Sequence, residues 1–81
     1  MQPNLNGNVI VICKDLNDIR YFMKLYADFD SATIAKKRLN KIYLKKGGII
    51  FFVKPKWVHH YMKKSPKAMI MHETEFLRLY L

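Results

Sequence analysis

The sequence predicts a small α/β domain built on a three-stranded, mostly parallel sheet with helices on both faces. Three observations carry that expectation. Two five-residue runs, Val9–Cys13 and Ile49–Val53, are apolar throughout and rich in β-branched or aromatic residues, as central strands covered on both sides are. Segments of helical period follow each of them. The whole chain, residues 1 to 81, has room for a single domain, and its 51% hydrophobic content is that of a globular protein. No apolar run approaches the ~20 residues of a membrane span, so no membrane partner is expected.

The opening Met-Gln-Pro-Asn-Leu-Asn-Gly, residues 1 to 7, reads as the one loose segment, and it lacks the charged start and apolar stretch of a secretion signal. After the first strand, Asp15 is a natural N-cap with Asp18 three residues on. Ile19, Phe22, Met23 and Tyr26 then recur at i, i+3, i+4 and i+7, which makes an amphipathic helix. Asp30 or Ser31 is placed to cap a second helix with Ala32, Ala35, Leu39 and Ile42 on one face and Lys37, Lys41 and Lys45 on the other, ending at Gly47. Pro55 suits the first turn of a third helix in which Trp57, Val58, Tyr61 and Met62 face inward while Lys56, His60, Lys63 and Lys67 face out; Ser65-Pro66 ends it. Ala68–Met71 reads as the third strand. Residues 73 to 81 read as a short last helix, although Leu77, Leu79 and Leu81 also alternate as in a strand.

A ferredoxin-like α+β fold is the alternative. In it, Leu39–Leu44 is a strand joined to Ile49 through Lys45-Lys46-Gly47-Gly48, because a Gly-Gly pair suits a hairpin turn. Residues 31 to 45 are therefore helix in the first reading and hairpin in the second.

Charge is divided unevenly along the chain. The net +9 arises from a stretch, residues 36 to 67, that holds eleven Lys and Arg and no Asp or Glu, whereas the segments before and after it are each slightly acidic. Such a stretch has no local carboxylates with which to neutralise itself and so attracts polyanions. The expected function is non-enzymatic binding of DNA or RNA, with Lys37, Arg38, Lys41, Lys45, Lys46, Lys56, Lys63, Lys64 and Lys67 on phosphates. Lysine outnumbers arginine ten to one in this stretch, which favours tracking of the backbone over reading of bases. Trp57, Tyr61 and Tyr43 are interleaved with these cations. Helical spacing assigns Trp57 and Tyr61 to the core rather than to a stacking surface.

Two other functions follow from the same residues. A small basic adaptor or inhibitor would offer this charge to an acidic partner protein. An enzyme acting on a phosphorylated small molecule, ranked third, would use Cys13 as nucleophile or Lys54 and Lys56 as an anion clamp at the carboxyl ends of the parallel strands. That end of the sheet should gather Cys13-Lys14-Asp15, Lys54-Pro55-Lys56 and His72-Glu73-Thr74. Cys13 and Arg20 have the spacing C-x6-R, not the C-x5-R of cysteine phosphatases, and no glycine-rich phosphate loop, zinc pattern or other metal motif is present. No cofactor is expected. His59 and His60 are adjacent and diverge on a helix, so they make a poor metal pair. One cysteine forms no internal disulfide, which points to a reducing, cytoplasmic setting. A three-stranded sheet has two exposed edges, and the apolar tail Phe76–Leu81 must dock on its own core or on a second copy, so a weak homodimer is expected.

Overall fold

A computed structural model describes residues 7–80; Leu81 and, except for Gly7, the segment read as loose lie outside the described residues. The chain runs β1 (Val9–Ile12), α1 (Leu16–Phe29), a 3-10 turn (Ser31–Thr33), β2 (Ile34–Arg38), β3 (Lys41–Leu44) and β4 (Ile49–Val53). A second 3-10 turn (Pro55–Trp57), α2 (Val58–Lys64), β5 (Met69–His72) and α3 (Glu73–Tyr80) complete it. One mixed sheet of five strands has the order β2-β3-β4-β1-β5. The three strands expected from the sequence are its parallel part, with β1 between β4 and β5. The antiparallel pair β2-β3 extends it beyond β4.

The second helix expected from the sequence is absent, and its residues form the β2-β3 hairpin instead. The helical face would have buried only two alanines, Leu39 and Ile42, and would have stacked Lys37, Lys41 and Lys45 at repulsive i, i+4 spacing. The hairpin buries Ile42 and Leu44, leaves Leu39 at the surface and supplies β4 with a paired edge. The ferredoxin-like alternative anticipates the strand from Lys41 to Leu44 and its turn, but the parallel β4-β1-β5 arrangement differs from it. In that turn Gly47 and Gly48 have φ near +90°, and a side chain at Gly48 would meet the Gly7 carbonyl oxygen at 2.6 Å. Both glycines are therefore needed, one for conformation and one also for close approach.

From β1 the chain moves to β4 in one direction, and from β4 to β5 in the other. Right-handed crossovers then require the intervening helices to lie on opposite faces. They do: α1 and α3 cover one face, packing Ile19, Phe22, Met23, Tyr26, Phe76 and Tyr80 against Val9, Val11, Ile50 and Phe52. On the other face a smaller cluster of Ile10, Phe51 and Val53 is covered by Val58 and Tyr61 of α2. The Asp15 cap forms as expected, with its Oδ1 accepting from the Asp18 N–H at 2.9 Å. Among the described residues no helix is long and apolar enough to cross a membrane.

Candidate nucleic-acid interface

The small size of α2 determines the site. A helix of seven residues covers the strands beside β1 and leaves the α2-side face of β2 and β3 open. Alternation along those strands decides what that face carries. Lys36 stands opposite Tyr43, Arg38 opposite Lys41, and Lys41 opposite Phe51, so Lys36, Arg38, Lys41 and Tyr43 share it. Lys37, paired with the buried Ile42, points to the α1 side. The lysine stripe expected at 37, 41 and 45 is thus broken up, with Lys37 and Lys41 on opposite faces and Lys45 in the β3-β4 turn beside Lys46. Lys36, absent from the sequence-based set, replaces it.

Aromatic rings underlie this charge. Lys36 Nζ lies 4.9 Å from the Tyr43 ring centroid, Lys41 Nζ 5.7 Å from that of Phe51, and Lys56 Nζ 5.6 Å from that of Trp57. Each ammonium is held near a ring face while its remaining hydrogens stay open to solvent or a phosphate. Tyr61 packs on Phe51 at 5.2 Å between centroids, and its hydroxyl accepts from Asn40 Nδ2 at 3.1 Å, joining α2 to the hairpin. Trp57 and Met62, expected inside, are exposed. The 3-10 turn at Pro55–Trp57 precedes α2, so Trp57 stands outside the helical register that carries Val58 and Tyr61 inward.

The other cations of the stretch also remain at the surface: Lys63 and Lys64 in the last turn of α2, Lys67 beyond it, and Lys45, Lys46 and Lys56 in turns. All six carboxylates of the chain lie elsewhere. Asp15, Asp18, Asp28 and Asp30 are on α1 or at its ends, and Glu73 and Glu75 are in the first turn of α3, the two helices of the opposite face. A division of charge along the sequence has become largely a division between the two sides of the sheet, the exceptions being Lys37 on the α1 side and Glu73, which lines a cleft with Pro55 and Val58.

The carboxyl ends of the parallel strands open into two clefts. One, of about 490 Å³, brings together the expected loops, with Ile12, Lys14, Pro55, His72, Glu73 and Thr74 among its lining residues. The other, of about 350 Å³, is lined by Leu16, Asn40, Lys54, Trp57, His60 and Tyr61 among others. Lys54 lines the second cleft, and Lys56 lies over the ring of Trp57, which lines the same cleft. Burial and the nearby Asp18 carboxylate push Glu73 above the usual carboxylate range.

Cys13 is fully buried. Burial first, then the carboxylates of Glu73 and Asp18, pushes its thiol up to about 12, so the thiolate needed for attack is scarce at neutral pH. Iodoacetamide at pH 7.5 is expected to leave Cys13 unmodified in the folded protein and to alkylate it fully in concentrated urea, as mass spectrometry would read directly. Rapid alkylation of the folded chain would contradict this environment. Among the described residues no three His, Cys, Asp or Glu side chains gather at metal-binding distance.

No family model matches the chain, and no curated protein or solved structure shows significant similarity to it.

Proposed function

We propose that this protein is a non-enzymatic, cytoplasmic nucleic-acid-binding domain that sets the α2 side of its sheet against a phosphate backbone. The observation that carries the reading is the separation of charge by face. Lys36, Arg38 and Lys41 project from an uncovered sheet surface that has no carboxylate, and α2 beside it ends in Lys63 and Lys64. Solubility alone needs a net charge of only ~2–8 with signs mixed, which this side does not have. Tyr43 and the exposed Trp57 add ring faces on which unpaired bases can stack. The buried free thiol of Cys13 fits a reducing compartment.

Lysine is a point charge without the fixed fork of arginine, which favours neutralising phosphates over bidentate reading of bases. Six engaged phosphates on a DNA duplex would give a plot of log K against log salt with a slope near −5, from about 0.9 per phosphate. Fluorescence anisotropy between about 50 and 200 mM salt measures that slope. Failure to retain any DNA or RNA at low salt would reject the proposal. So would recovery from lysate of one stoichiometric acidic protein that persists after nuclease treatment.

A further inference from the structure

Leu39 is the most exposed of the large apolar side chains among the described residues, at 86%. It is also the only non-glycine residue there with a positive φ, +54°. Packing accounts for neither property. The first central position of this two-residue turn, between the paired Arg38 and Lys41, would suit glycine for its backbone and a polar residue for its exposure. A leucine there carries both disadvantages.

The turn itself is firmly held. Asn40 Nδ2 donates to the Phe52 carbonyl at 2.9 Å and to the Tyr61 hydroxyl at 3.1 Å, and the Phe52 N–H donates to the Asn40 carbonyl at 2.9 Å. The hairpin tip is thereby fixed to β4 and α2, and Leu39 is presented outward from a rigid support. Arg38 and Lys41 flank it on one face of the sheet and Lys37 on the other. A bare apolar tip framed by cations matches the chemistry of a stacked, phosphate-lined duplex: the cations meet phosphates and the apolar group enters between bases.

We propose that Leu39 is a wedge that inserts between adjacent base pairs of duplex DNA while Arg38, Lys41 and Lys37 hold the flanking phosphates. This rests on the nucleic-acid reading above and adds a selectivity that phosphate contacts lack. Steps that unstack easily, above all TpA, should be favoured over stiff A-tracts. The expected preference is on the order of tenfold.

The test uses the full chain and 20-base-pair duplexes with a central TpA step or an A-tract, carrying 2-aminopurine beside the step and a fluorophore pair at the ends. On the TpA duplex the native protein should raise 2-aminopurine emission and shorten the end-to-end distance. Leu39→Ala and Leu39→Gly should abolish both signals and the TpA preference while keeping most of the salt slope. Glycine accepts the left-handed backbone, so that variant also guards against a folding defect. Salt-dependent binding without unstacking, or unstacking that survives both substitutions, would overturn the wedge and leave the phosphate-binding proposal standing. Absence of any duplex binding by the native chain would overturn both.

Discussion

Replacing Lys36, Arg38 and Lys41 together by glutamate is expected to weaken binding to a DNA duplex roughly 500-fold at 0.1 M salt. The figure follows from counterion release: each phosphate neutralised contributes about 0.9 of a log unit in K per tenfold dilution of salt, so three lost contacts remove about 2.7 units between 1 M and 0.1 M. Repulsion between the new carboxylates and the backbone would deepen the loss. The three side chains share the open face of β2 and β3, and none belongs to the buried core, so the variant should keep its fold and its circular dichroism. Arg20→Glu with Lys24→Glu is the control, a change of −4 in net charge against −6. These two exposed cations lie on α1, across the sheet, and reversing them should change affinity by less than about threefold, because screening at this salt weakens charges beyond ~10 Å. The weakening should be equal for all sequences that lack an easily unstacked step. Losses in proportion to the charge removed, six units against four, would mean that net charge alone governs binding and that the separation by face has no functional meaning.

The proposed binding face was only partly legible in the sequence, and the reason lies in β2 and β3. Elements that bury a full apolar pattern announce themselves. Val9–Ile12 and Ile49–Val53 are covered on both sides, and Ile19, Phe22, Met23 and Tyr26 form one buried stripe, so period and burial coincide. The hairpin has no such coincidence. Edge strand β2 buries almost nothing, and its Ile-Ala-Lys-Lys-Arg sequence matches neither strand alternation nor a helical stripe. Two alanines before Leu39 then completed an accidental helical face. The informative signals were the glycines after Lys46 and the short span Lys41–Leu44, which alternates between the half-buried Lys41 and Tyr43 and the buried Ile42 and Leu44. The concentration of charge was legible; its arrangement was not. Helical spacing groups residues 37, 41 and 45, whereas strand spacing groups 36 and 38, and that difference removed Lys36 from the expected site. Lysines on an edge strand also discourage pairing with a further strand, so β2 is poorly suited to a second copy of the chain.

Phe76→Ala is expected to destabilise the domain by about 3–5 kcal/mol, the usual range for removing a buried phenylalanine ring. Phe76 is fully buried and meets Phe52 edge-on at 5.5 Å, with Tyr26 at 5.7 Å and Tyr80 at 5.3 Å. With Tyr80 it is the side chain through which α3 closes the larger core. A domain of this size has a total stability of roughly 4–12 kcal/mol at about 0.05–0.15 kcal/mol per residue, so the loss is a large share of the whole. Thermal unfolding should shift down by roughly 12–40 °C, at about 4–8 °C per kcal/mol. Leu77→Ala, one residue on but facing solvent, should stay within about 0.5 kcal/mol of the native protein. The contrast bears on assembly as well. Phe76 and Tyr80 dock on the chain's own core, so the apolar tail gives no reason for a second copy. The other ground for a homodimer, an exposed sheet edge, stays with β5, where Met69 and Ile70 are exposed. If Phe76→Ala shifts the unfolding midpoint by less than about 5 °C, α3 does not seal the core, and the tail becomes available to a neighbour after all.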